Sequence, residues 1–174
     1  QTYAELPRAE HGFSLLIRVS SNEETSTILF DTGVSSNGVL TNAKRMGIDL
    51  SEVSYIALSH GHYDHFGGLA AVVKAVNRKN LQIICHEDMV RRRGTANSKG
   101  EIREYPTFPN LEAVSAKLVD TKRPHLITSD LACITGEIPR TVNFEKGLMH
   151  NRIYKDNIWQ PDPLISDERA LVFN

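Results

Sequence analysis

The feature that most constrains the fold of this chain is a short buried strand that runs directly into a loop of histidines. Tyr55-Ile56-Ala57-Leu58 is an apolar run typical of a strand inside a sheet, and Ser59-His60-Gly61-His62-Tyr63-Asp64-His65 follows it at once. Beyond the loop, apolar residues recur at helical spacing, at Leu69, Val72, Val73 and Val76. A strand, a polar loop and a helix in this order predict an α/β protein with helices packed on its sheet.

The flanking sequence continues the alternation of strands and helices. Residues 13–19 and 27–30 favour a β-hairpin, and residues 39–46 predict a helix of about ten residues that stops at Gly47. Further strands are predicted at residues 81–85, 131–134 and 170–173. Residues 91–110 and 141–167 carry few regular signals, and we expect irregular loops there. The whole chain, residues 1–174, is expected to form one α/β domain.

Charge and composition argue against several classes of protein. The chain has 20 basic and 21 acidic residues and a net charge of -1, which disfavours bulk nucleic acid or an anionic membrane as a partner. Its apolar runs fall far short of the roughly 18 residues that span a bilayer. Cys85 and Cys133 lie in separate apolar runs, so we expect core residues in a reducing compartment. We therefore expect a cytoplasmic protein, whose oligomeric state the sequence leaves open.

The histidine loop has the composition of a metal site. Zinc and iron prefer imidazole nitrogen and carboxylate oxygen at about 2.0–2.2 Å, and such side chains stand at His60, His62, Asp64 and His65. A polar turn with solvated histidines would be the better interpretation of a single histidine, but not of this cluster. We predict that the loop binds one or two divalent ions, either zinc or, in its place, iron or manganese.

These motifs resemble those of the metallo-β-lactamase superfamily. Residues 60–65 match its His-x-His-x-Asp-His signature, and Asp31-Thr32-Gly33 matches the Asp-Thr-Gly turn that precedes it. Together with Glu10-His11-Gly12-Phe13 and Thr135-Gly136-Glu137-Ile138-Pro139-Arg140, they look like the branch of the 7,8-dihydropterin-6-methyl-4-(β-D-ribofuranosyl)-aminobenzene-5'-phosphate synthases. The resemblance implies an αββα sandwich with metals at the edge where strand-end loops meet.

The resemblance also implies roles for single residues. His60 and His62 would hold a first metal ion, and Asp64 and His65 a second, with a hydroxide between the two. Asp64 and His62 are accordingly the predicted catalytic residues. Asp31 is expected to brace the loop by hydrogen bonds rather than to touch metal.

The chain departs from the superfamily pattern downstream of this loop. Glu137 stands where many members have a histidine ligand, so its carboxylate is a further candidate ligand. Later ligands of the superfamily have no counterpart here, because His86, His125 and His150 fall in no matching motif and are expected to be core or surface histidines. We therefore expect a fragment of the fold, incomplete at both ends.

Two arginines are candidates for binding the substrate. Arg92, within a run of three arginines, and Arg140 could hold the phosphate of a pterin-type substrate. A solvated helix end and a structural salt bridge are the alternatives for these two residues. The hypothesis is a hydrolase-like enzyme that uses metal-bound hydroxide on a small phosphate or ester substrate. The rival hypothesis is a truncated domain that binds metal without catalysis.

Overall fold

The computed structural model describes residues 6–21, 24–111, 116–128 and 131–174, which contain twelve strands and three α-helices. The strands are β1 (Leu15–Ser20), β2 (Thr25–Phe30), β3 (Tyr55–Ala57), β4 (Leu81–Cys85), β5 (Arg93–Ala96), β6 (Ile102–Glu104), β7 (Ala116–Asp120), β8 (His125–Thr128), β9 (Ala132–Ile134), β10 (Asn151–Lys155), β11 (Ile158–Pro161) and β12 (Leu171–Phe173). The helices are α1 (Gly38–Met46), α2 (Tyr63–Phe66) and α3 (Leu69–Val76), and a 3₁₀ turn spans Glu87–Val90.

Three sheets organise these strands. The largest has the order β1-β2-β3-β4-β7, in which β1 and β2 form an antiparallel hairpin and β2, β3, β4 and β7 run parallel. The others have the orders β11-β10-β5-β6 and β12-β9-β8. Because parallel strands point the same way, the loops after β2, β3 and β4 emerge at one edge of the largest sheet. The sequence places the Asp-Thr-Gly turn and the histidine loop at two of these strand ends.

Helices cover one face of the five-stranded sheet. The apolar face of α3 lies in a core with side chains of β2, β3 and β4, and Ala43 of α1 joins it. On the opposite face, Ile28, Ala57 and Ile84 pack against Ile127, Ala132 and Ile134 of the three-stranded sheet. The order helix, sheet, sheet corresponds to three layers of the expected αββα sandwich, and among the described residues no α-helix follows Val76.

Most elements predicted from periodicity are confirmed. The hairpin, α1 with its left-handed stop at Gly47, β3, α3, β4, β9 and β12 all form within one or two residues of the predicted bounds. Cys85 is buried and Cys133 is partly buried, and both are free thiols, in line with packing in strands.

The prediction of two irregular loops is wrong in part. Residues 91–110 contain β5 and β6, and residues 141–167 contain β10 and β11. The sequence Arg93-Gly94-Thr95-Ala96 has weak strand propensity, and it becomes a strand because β10 and β6 pair with its two edges. Partners so distant in sequence leave no local pattern. The strands β7 and β8 were also not anticipated.

The helices of the described residues are all short. No helix in residues 6–21, 24–111, 116–128 or 131–174 combines the length and the apolar character needed to cross a bilayer.

We predict that the helix-sheet core carries much of the stability. Leu69 is fully buried, whereas Leu126 on β8 is 62% exposed, so the same leucine-to-alanine change probes both environments. Leu69→Ala should lower the free energy of unfolding by about 2–5 kcal/mol. Leu126→Ala should change it by no more than about 0.5 kcal/mol. Urea unfolding measures both values, and equal losses would contradict this description of the core.

Candidate metal centre

The histidine loop is held in place by main-chain hydrogen bonds to the Asp-Thr-Gly turn. The N–H of Asp31 donates to the carbonyl of Ala57 at 2.9 Å, and the N–H of Thr32 donates to the carbonyl of His65 at 2.7 Å. Gly67 is required at the end of α2, because a Cβ there would collide with the carbonyl oxygen of Val34. The two motifs are thus one folded unit, although about thirty residues separate them.

The first pair of candidate ligands consists of His60 and His62. Nε2 of His60 lies 3.1 Å from Nδ1 of His62, with the two rings nearly perpendicular at 83°. Two donors bound to one tetrahedral zinc at 2.0–2.1 Å lie about 3.3 Å apart. The spacing of these two nitrogens therefore fits coordination of a single ion.

The second pair consists of Asp64 and His65, both on α2. Oδ2 of Asp64 lies 3.6 Å from Nε2 of His65, a spacing that also suits two ligands of one ion. Nε2 of the exposed His11 approaches the same carboxylate oxygen at 3.1 Å. The assignment of the first pair to one ion and of the second pair to another stays a prediction.

The outer nitrogens of two histidines are occupied by hydrogen bonds. Nδ1 of His65 contacts Oδ2 of Asp31 at 2.6 Å, and Nδ1 of His60 contacts the hydroxyl of Ser59 at 2.9 Å. Ser59 in turn donates to both carboxylate oxygens of Asp31, through its N–H at 2.7 Å and its hydroxyl at 2.6 Å. With Nδ1 protonated, Nε2 of each ring keeps a free lone pair, which is the arrangement that metal-binding histidines need. Asp31, buried and with φ of 60°, thus contacts the loop by hydrogen bonds alone.

The other face of the loop rests on a buried group of charges that the sequence did not reveal. Arg93 is 4% exposed and pairs with Asp162 and, at 2.9 Å, with Asp167. Asp167 also accepts the N–H of Gly61 at 2.7 Å. A side chain at position 61 would meet Nε of Arg93 at 2.9 Å, so glycine is needed there. The partners lie far apart in sequence and form no motif.

His62 has its own neighbours outside the loop. The amide of Asn151, on β10, lies 3.3 Å from Nε2 of His62, and the ring of Tyr105 meets the imidazole edge-on with centroids 6.0 Å apart. Neither residue carried a signal in the sequence.

The donor set has the chemistry of a divalent-metal site, and its two pairs adjoin, because the ring centroids of His60 and His65 lie 4.1 Å apart. Among the residues that the structure describes, no group of three or more His, Cys, Asp and Glu side chains is arranged to hold an ion. Each pair offers two donors of the kinds that zinc, iron and manganese accept. The residues fit metal as two half-sites, and the ligand assignments of His60, His62, Asp64 and His65 stay predictions.

The remaining predicted site residues are engaged elsewhere. Glu137 accepts a hydrogen bond from the buried His86 at 2.9 Å and lies 3.8 Å from Nζ of Lys122. Arg92 pairs with Glu104 and stacks on Tyr154, whereas Arg140 pairs with Glu145 and Glu168. Their proposed roles, a ligand for Glu137 and substrate binding for Arg92 and Arg140, stay predictions.

Burial and neighbouring charges shift the pKa values of the three histidines in different directions. Burial, aided by the neighbouring His65, His62 and Arg93, lowers the pKa of His60 from 6.5 to about 2. Burial, followed by the charge of Arg93, also lowers the pKa of His62. Burial opposes the charged form of His65 too, but its hydrogen bond to Asp31 and the charges of Asp31 and Asp64 outweigh this and raise its pKa. The first pair is therefore held neutral, the form that binds metal.

Comparison with known proteins identifies the family and the fold class of the chain. The family model of the metallo-beta-lactamase superfamily matches residues 7–143, which include both motifs. The chain belongs to the metallo-beta-lactamase superfamily. The family predicted from the two motifs is thus confirmed, as is the α/β sandwich class of its fold.

Individual members of the superfamily are similar over parts of their length. The 7,8-dihydropterin-6-methyl-4-(beta-D-ribofuranosyl)-aminobenzene-5'-phosphate synthase of Methanocaldococcus jannaschii is 39% identical over 83 residues, covering 48% of this chain and 28% of that protein. An uncharacterized protein of the same organism is 32% identical over 141 residues, covering 79% of this chain and 50% of its own length. The crystal structure of a metal-dependent hydrolase of the superfamily superposes with a TM-score of 0.63 at 23% identity, covering 95% of this chain and 55% of the other. The chain thus spans about half the length of these relatives or less.

We predict that the buried charges under Gly61 are essential for folding. Arg93→Ala would leave Asp162 and Asp167 buried without their cation, which should cost about 3–5 kcal/mol of unfolding free energy. Arg18→Ala breaks an exposed pair with Glu52 and should have little effect, because water and salt screen such pairs. Denaturant unfolding compares the two variants, and a stable Arg93→Ala protein would disprove the structural role of the network.

We also predict that the histidines of the metal-free protein titrate in a fixed order. As the pH falls from about 8 to about 5, His65 should take up a proton first, above its ordinary value of 6.5, whereas His60 should stay neutral throughout. Unfolded His60 does gain a proton below 6.5, so the stability that neutral His60 contributes is lost as the pH falls. Nitrogen-15 NMR of the imidazoles, assigned with single His→Gln variants, measures the order. Protonation of His60 before His65 would contradict it.

Proposed function

We propose that this chain binds divalent metal in its histidine loop and takes part in the hydrolysis of a small phosphate or ester substrate. The observation that carries the proposal is the spacing of the donors, 3.1 Å between His60 and His62 and 3.6 Å between Asp64 and His65. The hydrogen bonds that Nδ1 of His60 and Nδ1 of His65 donate to Ser59 and Asp31 support it, because they leave a lone pair on Nε2 of each neutral ring.

The chain's own residues would orient a water molecule and balance charge at the metal centre. A divalent ion, when bound, supplies Lewis acidity and makes an ionised water available near neutral pH. The carboxylate of Asp64 can accept a hydrogen bond from a nearby water and so orient it. The negative charge of Asp31 would offset the positive charge that a bound cation or proton brings to His65, because its carboxylate lies 2.6 Å from Nδ1. His62 and Asp64 are thus proposed as the catalytic residues.

A cavity beside this centre supports a small molecule as the substrate. It has a volume of about 320 Å³, and its walls include the apolar Leu16, Leu29 and Val39. None of the four candidate ligands lines the cavity, which reaches the second donor pair through His11, a residue of its wall that contacts Asp64. The name of the similar archaeal synthase makes a phosphorylated pterin precursor one candidate substrate. Fold similarity alone does not select among phosphate and ester substrates.

A second candidate function is binding of metal without turnover. Each pair supplies two protein donors from the described residues, so ligands from elsewhere would have to close the coordination of the ion and thereby prevent turnover, as in structural sites. A domain of this kind would hold its ion for structural reasons or share it with ligands from elsewhere.

Metal content and turnover together test the two candidates. The purified protein, loaded with zinc or manganese and dialysed, should retain transition metal by elemental analysis. It should then hydrolyse a generic substrate such as bis(p-nitrophenyl) phosphate or p-nitrophenyl acetate. Metal retention without turnover of either substrate class would favour the non-catalytic candidate. Absence of any bound metal would overturn both.

His62→Ala should abolish this hydrolysis and leave the fold intact. The variant removes one donor of the first pair, and a catalytic ion is usually dispensable for the core. His150→Ala, which changes an exposed histidine on the loop before β10, is the matched control and should keep full activity. Circular dichroism and urea unfolding check the fold. Unfolding of His62→Ala would indicate a structural ion instead.

A further inference from the structure

His62 meets polar groups on both of its ring nitrogens. Nδ1 lies 3.1 Å from Nε2 of His60, and Nε2 lies 3.3 Å from the amide nitrogen of Asn151. A neutral imidazole carries one hydrogen, so one of the two nitrogens donates and the other accepts. The identity of the groups around the ring therefore selects the tautomer.

With the amide nitrogen of Asn151 facing it, Nε2 of His62 accepts a hydrogen bond and Nδ1 carries the hydrogen. Nδ1 then donates to Nε2 of His60, whose own hydrogen is on Nδ1 and directed at Ser59. This tautomer satisfies every nitrogen of the two rings, but it places a hydrogen between the two donors of the first pair. An ion cannot occupy that position until Nδ1 of His62 loses its hydrogen.

Coordination through Nδ1 requires the opposite tautomer. Nε2 of His62 then carries the hydrogen and needs an acceptor, because an unsatisfied donor in a largely buried site costs free energy. Among the residues that the structure describes, Asn151 is the side chain placed within hydrogen-bond distance of Nε2. Rotation of its amide by 180° exchanges nitrogen for oxygen at the same point.

Asn151 is well placed for this task. It is 6% exposed and begins β10. Its N–H donates to the carbonyl of Leu148 at 2.9 Å, and its carbonyl accepts the N–H of Asp162 at 3.0 Å. The backbone is thus held while the amide group can turn about its last torsion.

We propose that Asn151 is a positioning residue that selects the tautomer of His62, by turning its amide oxygen towards Nε2 when His62 coordinates metal through Nδ1. The inference rests on the proposed function, since it concerns the same histidine loop. It adds Asn151, which lies 89 positions from His62 and on the four-stranded sheet, to the residues that shape the site. An asparagine serves both tautomers, whereas an aspartate would serve only the metal-binding one.

Zinc affinity tests the proposal without any measurement of activity. The dissociation constant is measured on the purified chain by competition with a chromophoric chelator. Asn151→Leu removes the acceptor at nearly constant volume and should weaken zinc binding about 10- to 100-fold. Asn151→Asp keeps an acceptor oxygen and should bind zinc at least as tightly as the wild type. Asn42→Leu is the control. Asn42 lies on α1 and its amide bonds the main chain of Arg8, so its replacement should leave the zinc affinity unchanged.

Nitrogen-15 NMR of His62 provides a readout that a merely structural residue would not change. In the wild type, His62 should carry its hydrogen on Nδ1 without zinc and on Nε2 with zinc. In Asn151→Asp, Nε2 should carry the hydrogen in both states. This measurement does not use Asn151→Leu, so it tests the role of Asn151 even if that variant does not fold.

The outcomes separate this proposal from the one on which it rests. If the wild type binds zinc and Asn151→Leu binds it equally tightly, the role of Asn151 alone is overturned. The same holds if neither zinc nor Asn151→Asp changes the tautomer of His62. No zinc binding by the wild type would overturn the proposed function and, with it, this inference.

Discussion

The carboxylate of Asp31 is the contact on which the arrangement of the histidine loop depends. It accepts hydrogen bonds from the main chain and hydroxyl of Ser59 and from the ring of His65, and it is fully buried at the end of β2. Because one carboxylate links the end of β2 to the loop after β3, the two strand ends cannot shift independently. The parallel pairing of β2 with β3 brings these ends together and makes the contact possible.

A second set of charges supports the loop from the opposite side. Arg93 on β5 and Asp167 in the segment before β12 enclose Gly61. The main-chain N–H of Arg169 donates to the carbonyl of Ser59 at 2.8 Å. Burying these charges is costly, and the ion pairs of Arg93 offset the cost only in part, because Nε of Arg93 and Oδ1 of Asp167 have no hydrogen-bond partner among the described residues. The loop is thus held between Asp31 and Asp167, and this rigidity is what a metal site with fixed ligand geometry requires.

The site also illustrates how a fold places chemistry without specifying a substrate. Membership of the metallo-beta-lactamase superfamily accounts for the sandwich and for the loop at the edge of its sheet. The groups that would recognise a substrate belong to other elements. Arg92 and Arg140 lie in ion pairs of their own, while the cavity near His11 is formed by α1 and the segment before β1. The shared motif does not encode these surfaces.

The sequence by itself determined the elements whose signals are local. The helical spacing from Leu69 to Val76, the apolar run of β3 and the spacing of the histidines each follow from neighbouring residues, and all were predicted correctly as elements or as a family motif. Only the tertiary structure decided the strands β5, β6, β10 and β11 and the contacts of Arg93, Asp167 and Asn151 with the loop. Their partners are distant in sequence, and a buried charge or amide becomes meaningful only when folding brings its partner within hydrogen-bond distance.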